Sequence, residues 1–337
     1  MNGKLIGMLS KVGINGFFFM LIGVIVLAWF FPSYGTEQSG LHLPEIAEYG
    51  VSMIFFFYGL KLSPESLVSG LTNWRLHIVV QLSTFILFPM IVLLMRAIFP
   101  VYFSTLLGLG IFYLAVLPST VSSSVVLVSI AGGNLPAAIF NASVSSIIGI
   151  FITPLWMSGM LEKVNTDFDI MHTILHLCLE VLLPFVVGLL LHRHFGKWAS
   201  RYKRSLRNFD QFVILLIIYT SFCSSFSGKM FNDFSLAEIA LLGTFMLLFF
   251  FMVFGMMNLL SVWFGFNRAD RITILFCGSK KSLVQGAVMG KVLFPSQAML
   301  GVVLLPLMLY HALQLLAGST IAQAMSQKSK IPDKAKH

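Results

Sequence analysis

The sequence predicts an all-α polytopic membrane protein: ten transmembrane helices in two inverted five-helix repeats, with helices 4 and 9 broken. Three observations predict that class. Of 337 residues, 57% are hydrophobic and 10% charged, whereas a soluble domain carries about 25% charge. Apolar runs near the roughly 20 residues that cross a bilayer recur from end to end, with short connections between them. A polar Ser-x-x-Ser interruption also recurs, because a shift of about 160 residues carries Ser119–Ser122 onto Ser279–Ser282.

The elements follow in order. A first span at about 14–32 comes after Lys4 and Lys11. A signal peptide is the other reading of such a start, but the run is long and no small-residue cleavage site follows it. Further spans lie at about 44–61, 74–95, 106–131, 136–158, 172–191, 211–227, 237–263, 272–290 and 298–325. Residues 1–325 thus form one transmembrane domain, and 326–337 form a basic tail. Repeat one runs over about 10–160 and repeat two over about 170–325. Five spans per unit is an odd number, so the second unit enters the membrane from the opposite side. That is the inverted plan of secondary transporters. Any helical membrane protein gives some match at some offset; the paired breaks lift this one above that background.

Charge orients the chain. The net charge of +9 points to cytoplasmic loops rather than to nucleic acid. With the N-terminus inside, sixteen basic residues fall on the cytoplasmic side, including Arg193 to Arg207 and the four tail lysines. Only Arg96, Lys163, Lys229 and Lys291 fall outside, and Lys280 and Lys281 complete the twenty-two. Both termini are therefore expected in the cytoplasm. Cys178, Cys223 and Cys277 lack CxxC spacing, so no disulfide framework or zinc site is indicated.

The polar constellations lie inside spans 9 and 4. Span 9 reads RITILFCGSKKSLVQGAVMGKVLFP. Ser279, Lys280, Lys281, Ser282 and Gln285 interrupt it, and Gly278, Gly286 and Gly290 flank them. A charge at mid-membrane costs about 2.5–3.5 kcal/mol on insertion scales, so such residues face a cavity or a partner. A helix end with snorkelling lysines is the competing reading, weakened by the apolar residues on both sides. Span 4 carries Pro118, then Ser119, Thr120, Ser122, Ser123 and Ser124, then Gly132-Gly133-Asn134 before Pro136, with Asn141 beyond. Pro118 removes a helix hydrogen bond. Freed carbonyls and hydroxyls at that depth bind an ion or a carboxylate; close packing through small residues would also enrich serine and glycine.

LPSTVSSSVVLVSIAGGN and CGSKKSLVQGA, with FFFYGLKL in span 2 and the Gln81 to Pro89 segment, resemble the bile acid:sodium symporter family. The resemblance covers nearly the whole chain. It is nearest the bacterial symporter branch related to the seventh member of the vertebrate bile-acid carriers. It implies a panel of spans 1, 2, 6 and 7 and a core of spans 3–5 and 8–10. Spans 4 and 9 would cross unwound in the core, and an organic anion would bind between panel and core by alternating access. Ser124 and Gln285 match ion-ligand positions of the sodium-coupled members. Those members carry a glutamate four residues before that glutamine, where this chain has Lys281. A span 3 glutamine falls on Thr84, with Gln81 one turn earlier, and a neighbouring asparagine falls on Val125 or Ser123.

Sodium wants oxygen ligands, and an ammonium offers only donors. Lys281 is therefore expected to fill the cation's place, held by span 4 hydroxyls, broken-helix carbonyls and Gln285. The transporter is then expected to be sodium-independent or proton-coupled. Lys280 is expected to serve the substrate's anionic group. A regulatory protein on a transporter scaffold, or a sodium symporter with a displaced ion site, are the alternatives. An enzyme is not expected, since the only close acidic pair is Asp167 and Asp169 and no Ser-His-Asp set stands out. No cofactor or nucleic-acid partner is expected, and the oligomeric state is left open. Glu180, in line with His172 and His176, is expected to face the crevice, there to sense substrate or to pair with a lysine in one conformation, rather than to bind a metal. His311 reads as a hydrogen-bonded core histidine.

Overall fold

A backbone without water to bond must satisfy itself, and helices do this within one segment. The computed structural model describes residues 16–61, 73–161, 175, 178–232, 234–294 and 296–330, and every regular element in them is helical. The longer ones are α1 (Gly16–Phe30), α2 (Leu43–Lys61), α3 (Trp74–Ile98), α4 (Leu106–Val116), α5 (Ser122–Ala131) and α6 (Leu135–Leu161). Then come α7 (Leu183–Arg201), α8 (Lys203–Ser227), α9 (Leu236–Trp263), α10 (Arg268–Gly278), α11 (Leu283–Leu293) and α12 (Gln297–Lys330).

Six of these helices, α3, α6, α7, α8, α9 and α12, are long and apolar enough to span a bilayer. The other expected spans differ for local reasons. α1 is described only from Gly16, α2 carries Glu45 and Glu48 near its start, and spans 4 and 9 are each split into two short helices. His172, His176, Lys163, Asp167, Asp169 and the tail beyond Lys330 lie outside the described residues.

The ends are set by side chains. Ser235 and Glu238 form a capping box that starts α9. Asn267 caps α10 through the Asp270 amide. Gly132, at φ 76°, turns the chain out of α5 in the left-handed region. Asp270 then joins three connections: it accepts hydrogen bonds from Asn73, Asn134 and Asn267, each at 2.8 Å.

Two π turns precede prolines. In α3 the turn Ser83–Leu87 is followed by Pro89, and before α7 the turn Cys178–Leu182 is followed by Pro184. Proline has no N–H for the carbonyl four residues back. In α3 the amide of Phe88 reaches back to Ser83 O, which skips Thr84 O. Pro89 leaves Phe85 O free, and the Trp156 indole takes it at 2.9 Å. α2 and α7 pack as the closest pair: a Cβ on Gly59 would sit 2.1 Å from Phe185 O, and one on Gly188 2.1 Å from Phe56 O. α12 packs against α4, α5, α8, α9 and α11, which holds both broken helices against one continuous one.

Candidate functional site

The two breaks meet. α4 ends at Val116 and α5 starts at Ser122; α10 ends at Gly278 and α11 starts at Leu283. The Ser282 amide donates to Pro118 O at 3.0 Å, so the crossing is backbone to backbone. Each helix end here leaves carbonyls without partners within the helix, and several find one across the crossing. At the end of α10, Ser124 Oγ donates to Phe276 O (3.1 Å), Ser119 Oγ to Cys277 O (2.7 Å) and Tyr310 Oη to Ser279 O (2.7 Å). At the end of α4, Thr153 Oγ1 donates to Val116 O at 2.8 Å.

The remaining carbonyls take Lys281. Its ammonium donates to Ala115 O (2.7 Å), Leu117 O (2.8 Å) and the skipped Thr84 O of the α3 π turn (2.7 Å). An ammonium has three N–H donors, so it is saturated. The Phe88 ring lies 4.1 Å from the nitrogen and adds a cation–π contact. The carbonyl end of α4 carries the negative pole of its dipole, which favours a cation there. The side-chain amide of Gln314 brackets the Lys281 backbone, accepting from its N–H at 2.9 Å and donating to its C=O at 2.8 Å.

The acceptor set differs from the expected one. Span 4 contributes carbonyls, not hydroxyls, and Thr84 contributes its backbone while its hydroxyl bonds Val80 O. Ser124, Thr120 and Ser123 bond one another and α10 instead. Gln285 Oε1 is buried and has no hydrogen-bond partner.

A cavity of about 790 Å³ abuts the crossing. α1, α2, α7 and α8 line one wall with Phe17, Tyr58, Phe185 and Ile214. The opposite wall is Thr120, Val121 and Ser123 entering α5, Ser282 to Gln285 entering α11, Ser143 and Ser146 of α6, and His311 of α12. Two helix N-termini therefore face the same space. Its mouth carries Lys61, Arg201, Lys203, Arg204 and Arg207, with Asp210 paired to Lys61 at 3.0 Å.

This chain matches the SBF-like CPA transporter family over residues 15–327. It is 37% identical over 316 residues to PA2026 of Pseudomonas aeruginosa, covering 93% of each chain. It is 35% identical over 317 residues to YfeH of Escherichia coli, covering 94% of each. It is 34% identical over 322 residues to sodium/bile acid cotransporter 7-B of Xenopus laevis, covering 94% of this chain and 92% of that one. The chain belongs to the SBF-like CPA transporter family. It is an integral membrane transporter of the bile acid:sodium symporter group.

Within this family frame, the residues singled out in the sequence separate. Ser119, Thr120, Ser123, Ser124, Ser279, Lys281, Ser282 and Gln285 gather at the crossing, and Ser122 opens α5 with its side chain outside the described set. Gln81 and Asn141 bond each other at 3.2 Å between α3 and α6. Asn134 lies away from the crossing, in the Asp270 cluster. Lys280 is fully buried and does not line the cavity. Glu180 is outside the cavity lining and is hydrogen-bonded to Glu48, with Lys291 nearby. It lies about 30 Å from Arg201 at the mouth, at 1.5 Å per helical residue. His311 Nδ1 meets Gln314 Nε2 at 3.0 Å. Among the described residues, no set of three or more His, Cys, Asp and Glu could hold a metal. The sequence reading missed Phe88, Tyr310, Gln314 and Thr153. Gln314 had a usable signal: an amide in an apolar span one turn after His311.

Proposed function

We propose that this protein is a secondary transporter of small organic anions, working by alternating access between the α1–α2–α7–α8 wall and the broken-helix wall, with no sodium at the crossing. The observation that carries the reading is Lys281, whose ammonium occupies a three-carbonyl seat in the crossing. A cation built into the chain takes the place that a sodium ion would need, and two positive charges about 4 Å apart repel by roughly 4 kcal/mol at an effective dielectric of 20. This leaves the proton as the coupling ion.

The cavity supports the anion. The N-termini of α5 and α11 open onto it, and such ends attract negative charge. Its mouth is cationic and its walls are apolar with several hydroxyls, which suits an amphipathic anion. The ten-helix inverted repeat, the panel and core, the cytoplasmic termini and the bacterial inner membrane belong to the same reading. The recurring break and the sixteen-to-four split of basic residues support them.

The test is ligand-induced thermal stabilisation in choline buffer, with carboxylate and sulfonate amphiphiles against neutral and cationic compounds of matched size. Anions are expected to raise the melting temperature by mass action. Stabilisation by the cations instead, or by anions only when sodium is present, contradicts the proposal.

A further inference from the structure

Lys280 and Lys281 are adjacent and both fully buried, yet their surroundings are opposite. Lys281 has three acceptors, whereas Lys280 Nζ has no hydrogen-bond partner. The Lys280 side chain runs toward α12 and α5. A methyl group on Gly318 would stand 3.5 Å from Nζ and 3.0 Å from Leu127.

Few groups face this nitrogen. Cys277, on the same stretch, and His311, on α12, are close enough to interact with it electrostatically. α5 presents Leu127, and Lys281 points away into the α3–α4 carbonyls. Asp270, the acid of α10, is engaged with three asparagines at the other end of that helix. No ion pair to Lys280 forms among the described residues. His311 also lines the cavity, so one group that interacts with Lys280 faces that space. A charged nitrogen without a protein acceptor is costly to bury, while an uncharged amine is far less so.

We propose that Lys280 is the seat of the coupling proton. In the conformation described here the amine is uncharged. It takes a proton from cavity water when the α10–α11 break shifts against α12, and returns it to water on the opposite face of the membrane. Lys281 stays charged throughout as the fixed cation. The inference rests on the transporter reading for its purpose, but its test uses no substrate and so fails separately.

The experiment follows the conformation by pH. A bimane fluorophore attached at Ser146→Cys, in the cavity wall and in a Cys178→Ser, Cys223→Ser background, is read in detergent between pH 5 and 9. Protonation removes the acceptor-free state, so the wild-type signal titrates. Lys280→Met is expected to flatten it, and His311→Gln to keep it. Gly318→Ser places a hydroxyl acceptor beside the nitrogen and is expected to move the midpoint up by about one pH unit. A flat wild-type signal, a titration that persists in Lys280→Met, or an unmoved midpoint in Gly318→Ser overturns the proposal.

Discussion

The break after α4 offers acceptors, and the break after α10 offers a cation. Ala115 O and Leu117 O of the first meet the ammonium of Lys281 from the second, while the hydroxyls of Ser119 and Ser124 answer the carbonyls at the end of α10. Two broken helices with only carbonyls at the crossing would need an ion from solution. Here one of them carries the ion covalently. The difference teaches that the crossed geometry of this chain is a property of its own side chains, and that two adjacent lysines in one break can have separate tasks.

The largest expected effect comes from removing the tether. Lys281→Ala leaves three buried carbonyls without donors, at about 1–3 kcal/mol each. Thermal melting in detergent should show a large loss of stability, whereas Lys280→Met should melt at or above the wild type. Equal losses in the two variants would erase the contrast between the lysines.

Reversing the charge at the tether is the next step down. Lys281→Glu places a carboxylate beside the carbonyls and should create a requirement for a solution cation. Its melting temperature should rise with sodium, toward about 2.7 kcal/mol of stabilisation at a hundredfold excess over the dissociation constant. Insensitivity of this variant to sodium would mean that the carbonyl seat does not recognise cations.

Smaller effects test the supports. Gln314→Leu removes both bonds to the Lys281 backbone and should cost about 2 kcal/mol while leaving the protein indifferent to sodium. Trp156→Phe frees Phe85 O beside the π turn and should cost about 1 kcal/mol. A Trp156→Phe loss as large as that of Lys281→Ala would mean that the π turn, rather than the ammonium, organises the crossing.

Much of this was legible in the sequence. Lysines and serines inside an apolar run mark a break, and Ser119–Ser122 and Ser279–Ser282 are where the helices break. Lys281, where the resemblance implies a carboxylate, was the residue on which the expectation of an internal cation rested. The acceptors that hold it were not legible, because they are backbone carbonyls, and a carbonyl belongs to every residue. Which ones are free depends on the skipped Thr84 O and on where α4 stops. Pro89 was the available sign of the first. Lys280 was expected to serve the substrate's anionic group, yet it is fully buried and off the cavity lining; the roughly 100° between neighbours on a helix does not say which partners α3, α5 and α12 bring to each lysine. Glu180 was expected in the crevice, but it is off the cavity lining, and the sequence cannot say that α2 sets Glu48 beside it together with Lys291.

The most direct test of the tethered cation is equilibrium binding of sodium-22 to the purified protein in choline buffer. The account predicts no saturable binding to the wild type and saturable binding to Lys281→Glu. Saturable, stoichiometric binding to the wild type that survives Lys281→Glu unchanged would contradict it.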